Sequence, residues 1–140
     1  MSYEKKKFMA ALLVCFLLTV ISPTAVLADN KNQEIEPRLT YISDAETDLS
    51  LDGTTAIVDC WVKGNVLKAT KTKVIAELQV KNSATNWIPV AIWTDTQNAF
   101  KASVYETKTI NLANTYRVKA TYTVWEGSQS ETITVFSDEL

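Results

Sequence analysis

An all-β antiparallel sandwich of about seven strands is the fold that this 140-residue sequence predicts, and three observations carry the prediction. Apolar and polar residues alternate with period two in several separate runs. Polar clusters rich in Asn, Asp, Ser and Thr divide those runs, and no helix is needed to account for any segment after Ala28. The clearest run is Thr115 to Phe136. Tyr116, Val118, Ala120, Tyr122 and Val124 alternate with Arg117, Lys119, Thr121 and Thr123, which makes a strand with one buried and one wet face. Glu126 to Ser130 then turn the chain, and Thr132 to Phe136 return it with Ile133 and Val135 on one face, so the pair reads as a β-hairpin.

The first 28 residues read differently. Lys5, Lys6 and Lys7 precede an apolar run from Phe8 to Leu27, and Val26 and Ala28 place small residues at the minus-three and minus-one positions before Asp29, the pattern of a signal-peptide helix cleaved after Ala28. Pro23 breaks that helix ahead of the cleavage site and argues against an uncleaved anchor. Cys15 follows Val14, a poor match to lipoprotein processing, and is read as filler within the signal. The chain is therefore expected to be secreted, touching a membrane only through this segment before cleavage. Removal leaves 11 basic and 15 acidic residues, a net charge of -4, and Cys60 as the only cysteine. That acidity disfavours nucleic acid as a partner, and a lone cysteine rules out an internal disulfide.

Residues 29–38 are polar, contain Pro37 and form a flexible leader; the sandwich domain is expected over residues 39–140. The first strand should be a charged edge strand, with Asp44, Glu46, Asp48 and Ser50 on one face and Ala45, Leu49 and Leu51 on the other, ending at the Asp52-Gly53 turn. Thr54 to Lys63 form the second, with Ala56, Val58, Cys60 and Val62 inward and Ile57, Asp59 and Trp61 outward. Cys60 on that face is a small buried hydrophobe. In the third strand Val74, Ala76, Leu78 and Val80 alternate with Lys73, Glu77, Gln79 and Lys81. Asn82 to Asn86 turn the chain into Trp87 to Thr94, which is apolar on both parities and contains Pro89, hence an edge strand with a bulge or kink. Asp95 to Lys101 are expected as loop, and Ser103 to Leu112 as a strand with Ile110 and Leu112 inward.

Tyr116 opens the sixth strand shortly after an apolar strand end, the placement of a tyrosine corner whose hydroxyl bonds the preceding loop. With the strand count, this points to an immunoglobulin-like or fibronectin-type-III-like sandwich. Val118 occupies the position of the second cysteine of antibody domains, which indicates the disulfide-free branch.

Glu36-Pro37-Arg38 with Tyr41, then Leu78-Gln79, the spaced Trp87, Val90 and Trp93, Tyr116 to Ala120 and the final Glu131-Thr132 strand together resemble a family of small secreted single-domain proteins of Gram-positive bacteria. The resemblance spans nearly all of the chain after the signal. It implies a bacterial secreted protein with no assigned activity and nothing catalytic.

The absence of histidine removes imidazole bases and His-ligated metal sites, and one cysteine builds no thiolate site; no metal or cofactor is expected. Two carboxylate pairs, Glu77 with Glu106 and Glu126 with Glu131, are the only candidates for glycan hydrolysis. The acidic run Asp44, Glu46, Asp48 and Asp52 has the oxygen chemistry of a calcium site, but alternate residues on a strand do not wrap an ion. The tetrapeptide Ser137-Asp138-Glu139-Leu140 resembles an endoplasmic-reticulum retrieval signal and is read instead as a fraying strand end. Among the four tryptophans, Trp87 or Trp93 is expected as the core aromatic, while Trp61 and Trp125 face outward, either as cross-strand packing partners for neighbouring Thr and Lys stems or as a protein-contact anchor or sugar-stacking platform. Trp61, Trp125, Arg117 and Lys119 are thus the contact candidates, and Tyr116, Cys60 and Trp93 the structural ones. The function expected is a secreted, non-enzymatic module that binds an extracellular protein or glycan. Inhibition of a secreted enzyme through projecting loops near Asp95 to Lys101 or Asn82 to Asn86 is the first alternative.

Overall fold

The computed structural model describes residues 39–140. The expected signal peptide (1–28) and leader (29–38) lie outside the described residues. Seven antiparallel strands follow in order: β1 Ile42–Asp52, β2 Thr55–Gly64, β3 Lys71–Lys81, β4 Trp87–Gln97, β5 Lys101–Thr109, β6 Tyr116–Glu126 and β7 Gln129–Phe136. They form a three-stranded sheet, β1-β2-β5, and a four-stranded sheet, β4-β3-β6-β7. The described residues are all-β, a β-sandwich as the alternation predicts.

The inward faces supply the core. Ala56, Val58, Cys60 and Val62 of β2 lie against Val74, Ala76 and Leu78 of β3 and Val118, Ala120 and Val124 of β6, all without solvent exposure. Two hairpins are closed by tight turns with glycine first, Gly53 at φ +59° and Gly127 at φ +64°. This conformation is open to glycine and strained for other residues, and it matches the twist of the flanking strands. The β6–β7 turn is shorter than expected, because Gln129 and Ser130 already pair with Glu126 and Trp125.

Several expectations are corrected. The segment from Asp95 to Lys101 is mostly strand: β4 runs to Gln97 and β5 starts at Lys101, leaving a three-residue connection. In β5 the inward residues are Ala102 and Val104; Leu112 is 56% exposed, and Ile110 packs only against the rim of the core. The small inward side chains carried too weak an apolar signal beside Ile110 and Leu112. Leu51 has inward parity, opposite Ala56, yet is 43% exposed because it sits at the hairpin end of β1. Neither Trp87 nor Trp93 is the buried core aromatic. Tyr122 is the largest fully buried side chain, and Trp93 packs only partly against the core from edge strand β4. The chain end does not fray: Leu140 and Tyr116 exchange backbone hydrogen bonds, both of 2.9 Å, and Lys81 pairs with Glu139 at 3.1 Å.

Pro89 does what an edge proline does. Leu78 pairs with Ala91 but Gln79 pairs with Pro89, so Val90 is the extra residue of a bulge. The bulge flips parity along β4, which puts Trp87 on the outer face and Trp93 on the inner one.

Candidate functional site

Strand parity divides the four contact candidates between opposite faces of the sandwich. Trp61 lies outward on β2, whereas Arg117, Lys119 and Trp125 lie outward on β6 in the other sheet. Within β6, Arg117 and Trp125 are eight residues apart, about 27 Å at the rise of a strand. The structure therefore does not bring the four together.

Arg117 is held within its own sheet. Its guanidinium lies 4.1 Å from the Trp87 ring and 4.4 Å from the Phe136 ring, a cation stacked between two aromatic faces. Its Nε donates to Gln79 Oε1 at 2.8 Å, and Gln79 Nε2 donates in turn to Glu77 Oε1. Lys119 sits beside this ladder, opposite Glu77 and Phe136 in the register. Trp125 is capped by Lys71, whose Nζ lies 4.6 Å from the ring centre.

Trp61 has a different setting. Lys63 Nζ stands 4.7 Å and Lys101 Nζ 5.6 Å from its ring, and its indole N–H donates to Glu46 Oε2 at 2.9 Å. Three strands thus hold one indole: β1 through Glu46, β2 through Lys63 and β5 through Lys101. Tyr105 of β5 stands opposite Asp59, diagonal to Trp61 on the same outer face, and is 67% exposed. Sequence reasoning missed Tyr105 because β5 itself was misread; the alternation of Ala102 and Val104 with Ser103 and Tyr105 is the signal that locates it.

Beside this face, between β4 and β5, an open cleft of about 520 Å³ is lined by Trp93, Asp95, Ser103, Tyr105 and Glu106 among others. Asp95 closes one end: its Oδ2 accepts from the Ser103 backbone N–H at 3.0 Å and its Oδ1 from Gln97 Nε2 at 2.6 Å.

The structural candidates lie inside or at the rim of the sandwich. The Tyr116 hydroxyl accepts from the Asn111 backbone N–H at 3.3 Å, in the loop before β6. Tyr122 reaches across to β1, where its hydroxyl donates to the Glu46 carbonyl; having given its one proton there, it accepts from Thr47 Oγ1 at 2.7 Å. Cys60 is a free buried thiol. Burial pushes that thiol up to about 11, reinforced by the Asp59 charge.

The carboxylate pairs do not make a cleft. Glu77 is tied to Gln79 on the outer face of the four-stranded sheet, while Glu106 belongs to β5 of the other. Glu126 and Glu131 are neighbours at the hairpin end, but the Glu131 carboxylate accepts from three consecutive backbone N–H groups, Thr40 (2.9 and 3.1 Å), Tyr41 (2.8 Å) and Ile42 (2.8 Å). Burial alone would raise this carboxyl; the donors from Ile42, Thr40 and Tyr41 outweigh it and hold the group below the usual range. Among the described residues no three His, Cys, Asp or Glu side chains converge as metal ligands.

No protein-family model matches the chain, and no curated protein matches it. Among solved structures, the chain is similar to the solution structure of R. palustris CsgH, at 15% identity and a TM-score of 0.37, over 69% of this chain and 89% of that one. It is also similar to the crystal structure of Spo0M, a sporulation control protein from Bacillus subtilis, at 14% identity and a TM-score of 0.37. That match covers 71% of this chain and 50% of Spo0M, so the chain spans half the length of that protein.

Proposed function

We propose that this chain is a secreted, non-enzymatic binding module that meets an extracellular protein or glycan through the outer face of its three-stranded sheet, with Trp61 and Tyr105 as the contacts. One observation carries the reading: the Trp61 indole is fixed by Glu46, Lys63 and Lys101 and stays half-buried on the outer face. A large aromatic already held in one orientation loses little side-chain freedom on contact, a saving of about 0.5–1.5 kcal/mol, and such anchors are where binding energy concentrates. Arg117 is committed to Trp87 and Phe136, so the opposite face has less to offer a partner. Secretion rests on the basic, apolar and small-residue order of the first 28 residues.

The test compares the secreted chain with its Trp61→Ala and Trp125→Ala variants, each verified by cooperative melting, on a glycan array and in quantitative capture from culture supernatant. The expected outcome is one retained protein or glycan whose affinity drops about tenfold or more in Trp61→Ala and is unchanged in Trp125→Ala. Equal retention by Trp61→Ala contradicts the proposal.

A further inference from the structure

The phase of the β2–β5 ladder is fixed at both ends. Gly64 N donates to Phe100 O at 2.7 Å, and Ile110 N donates to Thr54 O at 2.9 Å. Even-numbered residues of β5 therefore bond to β2, and the N–H and C=O groups of the odd-numbered ones point away from it. Ser103 confirms the phase, since its N–H points across the cleft to Asp95. The next two outward positions, Tyr105 and Thr107, have no backbone partner strand, because β5 ends its sheet and β4 belongs to the other.

Sheet edges are normally guarded. β4 has Pro89 and its bulge, and the entry to β1 is held by Glu131. On β5 the Asp95 carboxylate takes the place that the carbonyl of a neighbouring strand would occupy for Ser103, and the exposed charges of Lys101, Glu106 and Lys108 lie along the strand itself. Beyond Asp95 the edge opens into the cleft beside Trp93, whose lining carries the carboxyl groups of Asp95 and Glu106 and no lysine or arginine. Lys101 is turned to Trp61 on the outer face, and Lys108 lies outside the lining.

We propose that this cleft receives an extended, basic polypeptide segment of another protein, which adds to β5 as a fourth strand of the β1-β2-β5 sheet. Main-chain groups of the segment pair with Tyr105 and Thr107, apolar side chains of one parity meet Trp93 and Val104, and lysine or arginine side chains meet Asp95 and Glu106. An extended peptide is the matching occupant because outward donors recur every second residue, about 6.8 Å apart, which is the repeat of another strand. The site shares Tyr105 with the Trp61 face but uses its main-chain groups, and it does not depend on Trp61.

The probe is a short capped peptide of alternating valine and lysine, titrated into the chain while amide exchange and chemical shifts are followed by NMR. Slowed exchange at Tyr105 and Thr107 is expected, together with at least about tenfold weaker binding of the valine–glutamate peptide. Thr107→Pro removes an outward donor without touching the β2 ladder, and it too should weaken binding about tenfold. Should that variant fail to fold, the same peptide N-methylated at alternate residues replaces it and should lose binding against the unmodified chain. Trp61→Ala should bind the peptide within about twofold of wild type. Absence of binding, undiminished binding by Thr107→Pro or by the N-methylated peptide, or equal binding of the acidic peptide overturns the proposal. So does protection of these amides that grows with protein concentration alone, which assigns the edge to a second copy, or protection by a chitin oligosaccharide and not by the peptide.

Discussion

Gly64, at the end of β2, and Gly53, in the β1–β2 turn, are glycine for different reasons. A Cβ at Gly64 would stand 2.7 Å from both Ala69 Cβ and Val124 Cγ1, so the residue is small because two packed side chains leave no room. Gly53 has open space around it and a φ of +59°, so only its backbone conformation is demanding. Gly64→Ala is expected to destabilise the fold by about 1–3 kcal/mol through overpacking, and Gly53→Ala by about 1 kcal/mol through strain, as measured by urea unfolding. Cys60 offers a second residue-scale test. Its thiol is shifted up from 9.0 to about 11, so between those values the folded state holds a proton that the unfolded state has released. Stability should therefore fall as pH rises from about 9 to 11, and the fall should be smaller in Cys60→Ala measured beside wild type, the remainder coming from the buried Tyr122 hydroxyl, which burial also pushes up. Native Cys60 should also resist thiol reagents at neutral pH and react on unfolding.

At the scale of the element, the entry to β1 is held to β7 by a carboxylate and not by a strand ladder. With its folded value below that of a free carboxyl, Glu131 contributes stability above the unfolded value and loses it as pH falls through the folded one. Acidification, or Glu131→Gln at neutral pH, should speed amide exchange at Thr40, Tyr41 and Ile42 while leaving β2 and β6 protected. Exchange that stays slow at those three amides in Glu131→Gln would show that something other than the carboxylate holds them. Strand legibility in the sequence followed the size of the inward side chains. β2 and β6 announce themselves through Val58, Val62, Val118 and Tyr122, and their faces were readable without coordinates. β5 was not, because its inward residues are Ala102 and Val104 and the larger Ile110 and Leu112 lie past its end. β4 hid its parity behind the bulge at Val90.

For the whole molecule, two layers mean two outer faces, and the distribution of aromatic and basic residues between them decides where a partner can bind. Outward parity made Trp61 and Trp125 legible as surface tryptophans. What each would meet was not legible, because Lys101, Glu46 and Lys71 come from strands whose register no local pattern specifies. That register turns Arg117 from a contact candidate into the middle of an aromatic stack and makes Trp61 the fixed centre of a face that also carries Tyr105. Hydroxyl-radical footprinting of the chain with its captured partner, read by mass spectrometry, tests this most directly. Protection of Trp61 and Tyr105 with Trp125 unchanged is the predicted result; protection of Trp125 and Phe136 with Trp61 fully reactive would contradict it.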